Sequence, residues 1–285
     1  MRLSDLRQRL GLLVVNAVAR SVPAERESVP YGDAPRHQLD WYRHADGAPR
    51  PTVVFFYGGN WRSGRRQDYR FVADTLLTLG CDAVVPDYRL YPHVRFTEIL
   101  DDARQAMETV LARLPENRPL VLMGHSAGAQ IGALLTLDPR LLSANGRIAG
   151  FVGLAGPYDF YPFTEDDHWE LFGPEEAYPA SQPVNFVRPD APPLYLLHGE
   201  HDRRVRRGHS KSLMEKQRAT GGTADREVYP GLGHVDIVVA FTRLHRSRSP
   251  VVRDVGRFLA EIGGSAGSRA ARSAPAVAPT IGSGS

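Results

Sequence analysis

A single cysteine, Cys81, stands among 285 residues. No disulfide can form within the chain, so the fold does not depend on an oxidising compartment. Lysine is nearly missing too. Lys211 and Lys216 are the only two, and arginine carries almost all of the positive charge. The net charge of +3 is too small and too dispersed for a chain whose main partner is nucleic acid. The local basic clusters, Arg203-Arg204-Val205-Arg206-Arg207 and Arg243 to Arg248, read as solvated surface. No apolar run reaches the roughly 20 residues that a membrane-spanning helix needs. There is no internal repeat. Metal-site spacing is also missing: His198, His201 and Asp202 lie close in sequence, but the histidines lack helical i, i+4 spacing and have no cysteine support, so no metal is expected.

What is present is a core: 42% of the residues are hydrophobic, ample for one α/β unit of this length. Short apolar or β-branched runs read as strands at Thr52–Tyr57, Asp82–Asp87, Leu120–Met123, Ile148–Leu154, Leu194–His198 and Arg226–Tyr229. An alternating stretch around His37 to Tyr42 reads as an edge strand. Helical patterns fall at Tyr69–Leu79, Thr97–Leu114 with Thr97 as a cap, Ala129–Leu137, Ser210–Thr220 and Val251–Ile262. Strands alternating with helices predict a mostly parallel sheet with helices on both faces. Ligands of such sheets bind beyond the C-terminal strand ends.

Three segments stand outside this rhythm. Leu3, Leu6, Leu10, Leu13, Val14 and Ala17 recur at helical spacing with Arg2, Arg7 and Arg9 between them, which predicts an amphipathic helix over residues 1–22. A secretory leader cleaved after Ala17-Val18-Ala19 is the rival; Asp5 and Asn16 count against it and favour a cytoplasmic location over a secreted or membrane-surface one. Residues 157–193 are rich in proline, aromatics and acids and sit where a small cap over a strand-end pocket would be inserted. Residues 263–285, almost without large apolar side chains, predict a disordered tail after a domain spanning 23–262.

The richest stretch is Gly124-His125-Ser126-Ala127-Gly128. It follows a buried strand and opens a buried helix, the context that turns a five-residue pattern into a nucleophile elbow. A sharp strained turn lifts the serine hydroxyl above the sheet, and flanking side chains would strike the neighbouring strand and helix. Ala127 contributes a backbone N–H at a helix N-terminus, where negative charge is stabilised. A serine hydroxyl is a weak nucleophile at neutral pH. It needs a base to take its proton, and the base needs a carboxylate to fix its tautomer. Asp202, after the strand at 194–198, and His234, in Pro230-Gly231-Leu232-Gly233-His234 after the last strand, stand in the order that such folds require. Glu200 is the competing acid. Tyr57-Gly58-Gly59-Asn60-Trp61 is a glycine turn after another strand and a source of N–H groups for an oxyanion.

Taken together these motifs resemble the α/β-hydrolase superfamily. Within it they resemble the esterase/lipase group around hormone-sensitive lipase and the feruloyl-esterase-like and kynurenine-formamidase-like bacterial hydrolases. Tyr57 to Trp61 is similar to the group's His-Gly-Gly-x-Trp loop, with tyrosine in place of histidine. Asp87-Tyr88-Arg89-Leu90-Tyr91-Pro92 is similar to its Asp-Tyr-Arg-Leu-Ala-Pro segment. The resemblance covers about residues 28–262. It implies Ser126 as nucleophile, Asp202 and His234 as its partners, and oxyanion donors at Gly59, Asn60 and Ala127. Tyr57 and Trp61 are expected at the mouth of the loop, in contact with substrate. The expected function is hydrolysis of small carboxylic esters, short-chain or aryl, through an acyl-enzyme and without a cofactor. Arylformamide hydrolysis is the alternative, and a non-catalytic binding protein on the same fold a third.

Overall fold

The computed structural model describes residues 24–273. In chain order the elements are β1 (Ala24–Pro30), β2 (Gln38–His44), β3 (Thr52–Phe56), α1 (Arg70–Thr78), β4 (Asp82–Pro86), α2 (Phe96–Arg113), β5 (Leu120–His125) and α3 (Ala127–Leu137). They continue with β6 (Ile148–Leu154), α4 (Asp166–Leu171), β7 (Leu194–Gly199), α5 (Gly208–Ala219), β8 (Ala224–Tyr229), α6 (Asp236–Val239) and α7 (Pro250–Ser273). The eight strands form one sheet in the order β1-β2-β4-β3-β5-β6-β7-β8. β2 runs antiparallel to β1 and β4, and every pairing from β4 to β8 is parallel. Every residue of β3, β4, β5 and β7 is buried. A strand can be buried along its whole length only when both faces of its sheet are covered.

Parallel pairing has one consequence for function. β3, β5, β6, β7 and β8 all release their chains at the same sheet edge, so the loops carrying Gly58–Gly59, Ser126, residues 157–193, Asp202 and His234 gather there.

Five expectations are corrected. β1 was not anticipated and takes the edge position expected of β2: its sequence, Ala-Glu-Arg-Glu-Ser-Val-Pro, carries no apolar alternation and six of its seven residues are exposed. It is held by backbone pairing to β2 and by ion pairs of Arg26 with Asp40 and Glu27 with Arg43, each 2.8 Å. Thr97 does not cap α2, which opens one residue earlier; Glu98 instead takes the Arg95 N–H at 2.9 Å. The closing helix α7 runs to Ser273 rather than stopping at Ile262. Beyond Ile262 the glycines are mixed with alanine and arginine, both good helix formers, and the first proline is Pro275. The rest of the tail expectation and the N-terminal helix at 1–22, with its cleavable-leader rival, lie outside the described residues. The last two corrections, at Tyr57 and Trp61, belong to the site. No described helix is long and apolar enough to cross a membrane.

Candidate active site

Ser126 links β5 to α3 with φ 54° and ψ −122°, a left-handed conformation that costs a non-glycine residue about 1–3 kcal/mol. Its neighbours leave no alternative. A Cβ on Gly124 would lie 2.3 Å from the Gly128 carbonyl oxygen, and one on Gly128 would lie 2.1 Å from that of Phe56. The Ser126 N–H donates to the Leu154 carbonyl at 2.9 Å, pinning the elbow to β6.

His234 reaches the elbow from the loop after β8. Its Nε2 lies 2.9 Å from Ser126 Oγ and its Nδ1 2.8 Å from Asp202 Oδ2. The two loops are laced together, since the Glu200 and His201 N–H groups donate to the carbonyls of Tyr229 and Leu232. The Asp202 carboxylate is inaccessible to solvent. Its Oδ1 accepts the N–H groups of Arg204 and Val205, each at 2.9 Å. Burial by itself would raise the proton affinity of this carboxyl. Hydrogen bonds from His198 and His234, the charge of His234 and the Val205 N–H outweigh it and hold the group far below the usual carboxylate range. Glu200, the competing acid, turns away. It accepts from the Gly231 N–H and sits 3.8 Å from the exposed His201.

His125, within the elbow, is fully buried. Its Nε2 donates to the His234 carbonyl oxygen at 3.0 Å, so the residue beside Ser126 also anchors the His234 loop. Burial and then repulsion by His234 push its imidazolium down to about 3, so this ring is neutral.

The loop after β3 is shaped by three left-handed residues, Gly59 (φ 139°), Asn60 (φ 54°) and Trp61 (φ 58°). The Gly59 carbonyl is consumed by the N–H groups of Arg62 and Ser63. Among the described residues, the N–H groups of Gly59, Asn60 and Ala127 donate no intrachain hydrogen bond.

Tyr57 does not meet the expectation of a substrate contact. Its ring is wholly buried beneath the loop, stacked between Tyr69 at 5.2 Å and Tyr88 at 4.7 Å. Its hydroxyl donates to Asp87 Oδ1 at 2.8 Å and accepts from Arg36 Nη2 at 2.8 Å; the same guanidinium group binds the Gly64 carbonyl. Tyrosine thus organises the loop from below, and its size is why it sinks into the core.

Trp61 is 3% exposed and packs against residues 157–193 instead of lining an open mouth. It meets Phe172 edge-on at 5.0 Å and His168 at 5.5 Å, and stacks on Phe160 at 6.2 Å. Its Nε1–H donates to Gln130 Oε1 at 2.9 Å, and Gln130 Nε2 donates to the Ser181 carbonyl at 2.6 Å. Arg62 pairs with Asp167 of α4 and lies over the Tyr91 ring at 4.5 Å, while the Tyr91 hydroxyl donates to Glu170 at 2.8 Å. The cap is therefore fastened to the β3 loop. Glu165, Asp167 and His168 bring ligand-type atoms within 4.8 Å of one another, but the cation facing Asp167 is Arg62. Gln130, Arg62, His125 and His198 were not anticipated as site residues. Only His125 and His198 had a sequence signal, each lying inside a motif that already held a predicted residue.

An eight-stranded sheet with this order and a strained serine elbow facing an Asp–His pair define the α/β-hydrolase class. The BD-FAE family matches residues 39–217, more than half of the chain, and the chain belongs to that family. Among curated proteins it is 27% identical over 243 residues to the isoprenylcysteine alpha-carbonyl methylesterase ICME of Arabidopsis thaliana, covering 74% of this chain and 57% of that one. It is 31% identical over 146 residues to the kynurenine formamidase of Danio rerio, covering 50% of each. The chain thus spans little more than half the length of these relatives. A solved esterase from Pyrobaculum calidifontis shares the fold with a TM-score of 0.73 at 20% identity, covering 93% of this chain and 94% of that one.

Proposed function

We propose that the chain is a serine hydrolase that cleaves small carboxylic esters through an acyl-enzyme. The observation that carries this is the unbroken array from Ser126 Oγ through His234 to Asp202, at 2.9 and 2.8 Å, on a turn strained at the serine. Ser126 attacks the ester carbonyl as His234 Nε2 takes its proton. Asp202 holds the Nδ1–H tautomer and balances the imidazolium. The N–H groups of Gly59, Asn60 and Ala127 receive the oxyanion; their lack of intrachain acceptors supports this role. His234 returns the proton to the departing alcohol. Water, activated by the same histidine, then releases the acid. The reaction balances with ester and water alone, so it calls for no cofactor.

For substrate size, the reading is a short acyl chain or a flat aryl group. The rings of Trp61, Phe163 and Phe172 are each at most 5% exposed and spend their faces on one another, which leaves little apolar surface for a long chain. Each added methylene gains about 0.8 kcal/mol only while it finds such surface. The formamidase relative favours arylformamides as the second reading.

A panel of p-nitrophenyl esters from C2 to C16, run beside N-formylkynurenine, decides among these. The expected result is a kcat/KM maximum at butyryl to hexanoyl, with Ser126→Ala lowering turnover by about 10⁴-fold or more. A maximum at C12 or beyond overturns the size argument. Selective cleavage of N-formylkynurenine replaces ester with formamide, and undiminished turnover by Ser126→Ala overturns the whole reading.

A further inference from the structure

We propose that His198 is a positioning residue for the acid–base pair, acting through Asp202; the inference rests on the roles given above to Ser126, His234 and Asp202. His198 is the penultimate residue of β7 and its side chain is wholly buried. A buried imidazole must find partners for its nitrogens. Its Nε2 lies 2.9 Å from the Val205 carbonyl oxygen and 3.2 Å from Asp202 Oδ2. A carbonyl can only accept, so Nε2 carries a proton, and that proton is shared between the two oxygens. Oδ2 is also the atom that receives His234 Nδ1 at 2.8 Å. With Oδ1 bound to two backbone N–H groups, the carboxylate meets four donors, and rotation that would break the His234 contact must break others too.

The ring of His198 is itself fixed. Its Nδ1 lies 3.2 Å from Ser210 Oγ on α5, and Arg226 Nε on β8 donates to that same oxygen at 2.9 Å. The orientation of the acid is thereby tied to two further elements, α5 and β8.

Two effects follow. The first is geometric: without His198 the carboxylate loses one of the groups that fix it. The second is electronic. A second donor on Oδ2 draws charge from the oxygen that stabilises the imidazolium, so its loss makes His234 more basic. Among the described residues Asp202 from the loop after β7 and His125 from β5 face His234, Arg204 acts on the neighbouring His125, and Asp236 of α6 takes the adjacent Gly233 N–H. Those around His198 include Asp202, His209 and Ser210 from α5 and Arg226 from β8, with the Arg207 carbonyl just before α5. None of them changes in the variants below, so a moved pH limb reports on His198.

The test is the pH dependence of kcat and KM with p-nitrophenyl butyrate for the wild type, His198→Phe and His198→Gln. Phenylalanine fills the ring space without a donor, whereas glutamine can return an N–H toward Oδ2. For His198→Phe the expectation is a kcat loss of about tenfold or more with KM within about twofold. The acid limb of kcat/KM should also move up by about half a unit. His198→Gln should regain most of the rate and the wild-type limb. A purely structural role would lower the active fraction without moving the limb, so an unmoved limb in His198→Phe, or a glutamine variant no better than phenylalanine, overturns the proposal. Should both variants fail to fold, ¹⁵N NMR of the wild type decides: a proton on His198 Nε2 supports it, and a bare Nε2 overturns it. Turnover by Ser126→Ala in the same assay would instead sink the nucleophile assignment and leave the hydrogen-bond geometry of His198 untouched.

Discussion

Asp202 and Glu200 stand two residues apart on one loop and face opposite ways, so substitution separates their roles. In Asp202→Asn the amide favours the wrong His234 tautomer, and kcat should fall by up to about 10⁴-fold. Glu200→Gln keeps an oxygen that can accept from the Gly231 N–H and removes only a charge beside the exposed His201, and kcat should stay within about threefold. Steady-state kinetics with one ester checks both, and a reversed order would make Glu200 the acid. His125 offers a second test, of stability. Its ordinary value of 6.5 is pushed down to about 3 in the fold. The unfolded chain therefore binds a proton in this window that the folded chain refuses, and stability contributed by the neutral ring is lost as pH falls from about 6.5 toward about 3. Over that window the wild type should lose up to about 1.4 kcal/mol per pH unit more than His125→Gln. Urea titrations at several pH values measure this; parallel curves would refute a buried neutral His125. Ser126, Asp202 and His234 were legible in the sequence because each lies in a short motif beside a strand. Tyr57 was not, since nothing local says that its ring turns down between Tyr69 and Tyr88, both distant in sequence.

At the scale of elements, the elbow is the tightest joint. α3 approaches β3 so closely that Gly128 lies against the backbone of Phe56 and Tyr57. Neither backbone can yield as a flexible side chain could. Gly128→Ala should therefore cost at least about 3 kcal/mol or abolish soluble expression. An equilibrium unfolding midpoint close to wild type would contradict that packing. The strands from β3 to β7 were readable because burial on both faces leaves an apolar run. β1 was not, because an exposed edge strand paired through its backbone and two ion pairs needs no such run. The cap was readable as a segment and not as a contact. Its fastening depends on Arg62 meeting Asp167 and Trp61 meeting Gln130, pairs more than 60 residues apart.

For the whole molecule, parallel pairing does the assembly. Five strands deliver their loops to one edge, and residues 108 apart in the chain, Ser126 and His234, come within 2.9 Å. Strand-helix alternation made that topology legible, and the order Ser, Asp, His along the chain made the meeting predictable. The central claim is that this meeting creates one activated serine. Its most direct test is labelling with a fluorophosphonate, which reacts with activated serine hydroxyls, followed by peptide mapping. The account predicts one adduct per chain, on Ser126, formed at least about 10²-fold more slowly in His234→Ala and absent in Ser126→Ala. An adduct elsewhere, or labelling that survives in Ser126→Ala, would contradict it.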